Sequence, residues 1–157
     1  EETPAFRPRL EAMERAAALE LKNVFFVVGD AALLDSYFAP EEADRIYINF
    51  CDPWPPKRQA KRRLTHRGFL TLYRKALKMG GQIHFKTDNV PLFEFSLEEF
   101  PQAGYTLQQV TRNLHGDGPQ GVMTDYEAKF YDQGVAINRC VGTMVPWTPP
   151  AAAEEEE

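Results

Sequence analysis

Asp52 is the residue around which chemistry can be built. It follows the alternating apolar residues Ile46, Ile48 and Phe50 and opens the segment Asp52-Pro53-Trp54-Pro55-Pro56. A carboxylate accepts hydrogen bonds and balances positive charge, and Trp54 offers a flat ring to a base. Pro53, Pro55 and Pro56 lack an N–H and fix φ, so the segment cannot continue a strand and must form a rigid turn. Directly behind it come Lys57, Arg58, Lys61, Arg62, Arg63 and Arg67, with no acid among them. An acceptor at a strand end, a rigid aromatic turn and a cationic stretch describe a reaction site beside a polyanion.

The distribution of charge carries the same implication. The formal net charge is −5, but four of the acids lie in residues 151–157, and without them the count is −5 + 4 = −1. The basic signal is therefore local. Its bland alternative is a solvated helix face, the usual reading of a charge run. Against that stand the missing acids and the spacing of Arg58, Lys61 and Arg62, which would put them on one helix face. Phosphate contacts from such a face position a nucleic acid without reading its sequence.

The elements that must hold these groups follow from periodicity. Residues 6–20 have helical spacing and start near Pro8. Residues 24–28 (Val-Phe-Phe-Val-Val) form a continuous apolar run that predicts a strand buried on both faces. A short helix or turn follows over 32–38, and residues 44–50 alternate as a strand. The spacing predicts a helix over 64–78, stopped by Gly80-Gly81, then a strand over 82–87. Helices are expected over 92–100, up to Pro101, and over 125–133. Strands are expected over 105–114 and 136–143, with a glycine-rich loop at 115–123. Strand and helix alternate and an antiparallel pair closes the chain, which predicts an α/β three-layer sandwich. Ligands gather outside the carboxyl ends of the strands in such sheets. Asp30, Asp52 and Asp88 each follow a predicted strand. One such acid is more often a turn cap; three at one sheet edge point to a site.

At 157 residues, 43% of them hydrophobic and 26% charged, the chain reads as one soluble domain over 1–145 with a disordered Pro/Ala/Glu tail over 146–157. No apolar run approaches the ~20 residues of a membrane span, and no leader pattern opens the chain. Cys51 and Cys140 suggest no disulfide framework, so a reducing cytoplasm is expected. No spacing of His, Cys and Asp suggests a metal site. His84 reads as a hydrogen-bonded core residue within a strand, His66 and His115 as residues of basic or loop settings, and Lys86 carries no assigned role.

Residues 49–64 (Asn-Phe-Cys-Asp-Pro-Trp-Pro-Pro-Lys-Arg-Gln-Ala-Lys-Arg-Arg-Leu) resemble the signature of the bacterial tRNA (guanine-N7)-methyltransferases. That signature is Asn-Phe-Pro-Asp-Pro-Trp-Pro-Lys-Lys-Arg followed by Lys-Arg-Arg-Leu. The likeness continues through residues 81–89, 92–97 and 122–130 and covers most of 20–141. It implies a Rossmann-like class I methyltransferase fold. It also implies transfer of a methyl group from S-adenosylmethionine to N7 of a guanine in the tRNA variable loop, by a monomer or homodimer. On this resemblance Asp52 is the key active-site aspartate, and Asp30, Ala31, Asn49 and Asp52 contact the cofactor. Lys57, Asp88, Thr124, Asp125, Tyr126 and Glu127 contact the substrate, and Arg58, Lys61, Arg62 and Arg63 contact RNA. Two departures stand out. Pro56 replaces a substrate-binding lysine, with Lys57 next to it. The family's first strand and its glycine-rich cofactor loop have no counterpart ahead of residue 24. The implied reading is a fragment, or the ordered or numbered part, of a longer chain, the alternative being a truncated relative without cofactor.

The chemistry sets the roles. Guanine N7 carries a free lone pair, so methylation needs no base; it needs in-line positioning and negative charge near a purine that becomes cationic. Asp52, Asp88 and Glu127 suit acceptor roles toward the N1–H and N2–H₂ edge, and Thr124 can donate or accept. Two competitors remain. One is methylation of an exocyclic amine, in which a related Pro-Pro-Tyr turn accepts amine protons. The other is a non-catalytic RNA-binding fragment or subunit.

Overall fold

In a computed structural model the described residues are 6–150. The chain divides into two compact units, Glu1–Asp30 and Ala31–Glu157. In the first, α1 spans Phe6–Ala18. Its end is a Schellman cap: Glu20 takes φ 53°, its N–H donates to Ala17 O, and the Leu21 N–H reaches Ala16 O. Residues 24–28 are not a strand. The apolar run has the right composition, but a strand exists only through ladder bonds to a neighbour, and all four strands of the described sheet lie in the second unit.

The second unit opens with a 3₁₀ turn, Ala31–Leu33, and α2, Leu34–Tyr37. Next come β1 (Ala43–Asn49), a 3₁₀ helix (Lys57–Arg62), α3 (Arg67–Ala76) and β2 (Leu77–Thr87). The remaining elements are α4 (Val90–Gln102), β3 (Tyr105–Thr111), α5 (Asp125–Asp132) and β4 (Asn138–Met144). The sheet order is β1-β2-β4-β3; β1 and β2 are parallel, and β4 runs antiparallel to both its neighbours.

Three boundaries differ from the sequence expectation. α3 stops at Ala76 because Leu77 is fully buried and pairs with Ala43. The four residues 78–81 then bulge out before Gln82 pairs with Arg45, Gly80 taking φ 80°. α4 runs through Pro101, whose cost is small in a last turn closed by Ala103 N–H to Phe100 O and Gly104 N–H to Pro101 O. β3 ends early, at Thr111, just past an irregularity in which Gln109 takes φ 52°.

One face of the sheet carries the core. Ile48, Ile83, Phe85 and Cys140 pack with Leu70, Tyr73, Leu92, Phe93 and Phe100 of α3 and α4. Alternation sends Tyr47, Gln82, His84 and Lys86 to the other face, where α5 and the loop before it meet the end of β2 through Lys86.

Candidate nucleic-acid methylation site

The parallel pair β1–β2 fixes where the carboxylates emerge. Asn49 pairs with Lys86, and the Phe50 N–H adds one more bond to Lys86 O at 3.0 Å. Asp52 and Asp88 therefore leave adjacent strands at the same carboxyl end. Asp88 is set between pinned neighbours. Thr87 Oγ1 accepts from Asn89 N–H, the Asn89 side chain caps α4 by accepting from Leu92 N–H, and buried Asn138 donates from Nδ2 to Thr87 O. Asp52 is exposed and Asp88 half-buried.

The turn after Asp52 is conformationally unusual. Phe50 and Trp54 take φ of 54° and 44°, a region that non-glycine residues avoid and that clusters at functional sites. The Arg63 guanidinium holds it: Nε donates to Trp54 O at 3.1 Å, and Nη2 donates to Trp54 O at 3.0 Å and Pro55 O at 3.3 Å. Arg62 lies over the Trp54 ring, 5.1 Å from its centroid. Cys51 is half-buried, and burial pushes its thiol up to about 11, which leaves it unreactive as a nucleophile.

The cations do not share one face. They sit on a 3₁₀ helix, where residues three apart eclipse. Arg58 and Lys61 are aligned and exposed, and so is Lys57. Arg62, four residues from Arg58, turns to Trp54 instead, and Arg63 lies beyond the helix as its half-buried cap.

The third part of the site is the start of α5. Thr124 is its N-cap, accepting from Glu127 N–H at 3.1 Å. Asp125 and Tyr126 are exposed, and the Tyr126 and Phe130 rings pack on Phe50 at 5.4 and 5.8 Å. Glu127 is fully enclosed. It takes a bond from Lys86 Nζ at 2.9 Å and meets His115 Nε2 at 2.5 Å. His115 Nδ1 accepts from Gln120 N–H, so Nε2 carries the proton and donates. Lys86 also donates to Val122 O at 3.3 Å. A single buried carboxylate thus ties the glycine-rich loop and α5 to the end of β2. Sequence reasoning left Lys86 and His115 without a role here; their separations of 41 and 12 residues from Glu127 give no local signal.

A cavity of about 540 Å³ adjoins this network, lined among others by Tyr47, Asn49, His84, Lys86, Thr124 and Arg139. His84 packs against Tyr47 with the rings tilted by 38° and shares a hydrogen bond with Gln82. Burial, aided by Arg45, Arg139 and Lys86, pulls its imidazole below the ordinary value, so it is neutral near pH 7. It lines an open sheet face instead of the core.

A mixed sheet whose carboxyl ends gather two carboxylates, a strained aromatic turn and a capped helix has the Rossmann-like class I methyltransferase architecture. Solved structures agree at the level of fold. A precorrin-6y C5,15-methyltransferase from Geobacter metallireducens superposes with TM-score 0.55 at 12% identity, over 91% of this chain and 65% of its own. A ribosomal RNA methylase from Streptococcus thermophilus gives 0.51 at 13%, over 87% and 66%. The chain belongs to the methyltransferase family whose profile, described as "Putative methyltransferase", matches residues 7–140. Among curated relatives, the tRNA (guanine-N(7)-)-methyltransferase of Clostridioides difficile (strain 630) is 48% identical over 132 residues, 83% of this chain and 62% of its own length. That of Streptococcus suis is 50% identical over 129 residues, 82% and 61%. The chain thus spans less than two thirds of the length of these relatives. The resemblance drawn from the motifs is borne out at the level of family.

Proposed function

We propose that this chain forms the base- and RNA-binding part of an S-adenosylmethionine-dependent enzyme that methylates N7 of a guanine in tRNA, in the cytoplasm. The observation that supports it most is the convergence of Asp52, Asp88 and the α5 N-terminus at one sheet end, in a chain half identical to relatives bearing that name. Among the described residues no helix is long and apolar enough to cross a membrane.

When bound, S-adenosylmethionine supplies an electrophilic methyl on a cationic sulfonium. The donor set at the end of β1 fits such a cation, with an exposed amide at Asn49 and an exposed carboxylate at Asp52. Asp30 and Ala31 are assigned to its adenine side by resemblance. Asp52 and Asp88 accept from the guanine N1–H and N2–H₂ edge and stabilise the purine as it becomes cationic. Thr124, Asp125 and Tyr126 border the base, and Lys57 takes over from the lysine replaced by Pro56. Glu127, enclosed by Lys86 and His115, acts by fixing that border. Arg58 and Lys61 meet phosphates.

The test uses the complete gene product with S-adenosylmethionine and unmodified tRNA, followed by nucleoside mass spectrometry. The expected product is 7-methylguanosine, and Asp52→Asn should lower kcat by about 100-fold or more with tRNA binding retained. A methyl on an exocyclic amine, or full turnover by Asp52→Asn, would refute the reading.

A further inference from the structure

The segment carrying Asp52 has little backbone bonding of its own. Pro53, Pro55 and Pro56 offer no N–H, and among the described residues the one backbone bond it joins is Gln59 N–H to Pro56 O at 2.9 Å. The Trp54 and Pro55 carbonyls instead receive three N–H bonds from one guanidinium, that of Arg63, across nine and eight residues. That guanidinium itself lies over α4, its Cζ 4.5 Å from the centroid of the Phe95 ring. Trp54 adopts φ 44°, a state that persists only where the surroundings over-determine it. Arg63 is half-buried, whereas Arg58 and Lys61 are exposed.

We infer that Arg63 is a positioning residue for Asp52, and not one of the cations that grip RNA. It staples the Asp-Pro-Trp-Pro turn to α4 and thereby sets the height and direction of the carboxylate over the sheet end. The basic stretch is then functionally divided. Arg58 and Lys61 supply long-range attraction to phosphate, and Arg63 supplies geometry. A planar five-donor fork is needed for two successive carbonyls and an aromatic face at once, which a lysine ammonium does not reproduce. The inference rests on the proposed methyl transfer for its kinetic readout and stands apart from it in its spectroscopic one.

The experiment compares Arg63→Lys, Arg63→Ala and Lys61→Ala in the complete protein. Lys61→Ala should raise KM for tRNA and reduce the slope of log K against log salt by roughly 0.7–0.9. Arg63→Lys and Arg63→Ala should keep that slope and lower kcat about ten-fold or more, since small misplacement of a positioned group is costly; added guanidinium should partly restore Arg63→Ala. With every other tryptophan, Trp147 included, replaced by Phe, both Arg63 variants should raise iodide quenching of Trp54 fluorescence. A salt slope lowered by Arg63→Lys or Arg63→Ala as by Lys61→Ala, or unchanged Trp54 quenching, would overturn the inference. A wild-type protein that methylates no guanine would instead remove the proposed function while leaving the quenching test standing.

Discussion

Lys86→Met isolates the buried anchor of the site. The substitution keeps an apolar stem of similar length in place of the ammonium, so the cavity left behind is small. What it removes is the charge partner of a carboxylate with no exposed surface, 2.9 Å away. At that distance an effective dielectric near 20 gives a gross attraction of about 6 kcal/mol, much of it offset by desolvation of both groups. Stranding one member of a buried pair costs about 3–5 kcal/mol. The Lys86 side chain is 18% exposed, so some screening applies and the lower end, about 3 kcal/mol, is expected. With m near 2 kcal/mol per molar urea, the unfolding midpoint should fall by about 1.5 M. Adding Glu127→Gln removes the stranded charge and should recover part of the loss, a negative coupling readable in a double-mutant cycle. A loss below about 1 kcal/mol, or a double variant that bears both single costs in full, would refute the reasoning.

Two further outcomes follow from geometry elsewhere. Burial raises the Glu99 carboxyl, but the Arg67 side chain and backbone N–H outweigh it and hold Glu99 below its ordinary 4.5. A depressed folded value means stability that is complete above about pH 4.5 and lost as pH falls through the folded value. Glu99→Gln should therefore flatten the acid limb of a Tm-versus-pH curve; an unchanged limb would count against it. Gly104 takes φ 79°, and a Cβ there would lie 2.4 Å from Trp147, so Gly104→Ala should destabilise by roughly 2 kcal/mol in thermal unfolding, and a neutral result would be contrary.

What could be read from the chain depended on how local its cause was. The alternation of residues 44–50 and 82–87, and Asp52 at a strand end, were legible because side-chain direction along a strand is a two-residue property. The helix over 125–133 was legible from its composition; that Thr124 caps it emerged from the structure. The destination of the Glu127 side chain was not, because Lys86 and His115 come to it through the fold. Residues 24–28 illustrate the opposite failure: β-forming composition without a described pairing partner does not make a strand. The cationic stretch misled in its period, since the step between 3.6 and 3.0 residues per turn decides whether Arg62 points with Arg58 or toward Trp54.

The place of β4 has a consequence for the order in which the molecule can assemble. It is the last of the four described strands in sequence yet lies between β2 and β3. Until residues up to Met144 have been synthesised, β3 has no hydrogen-bonded neighbour and β2 is paired on one side only. The early strands must wait, half-dressed, for a partner that leaves the ribosome after them. Such non-local closure slows folding and prolongs the exposure of sticky edges. The seam that unites the sheet is therefore also the step on which its biogenesis turns.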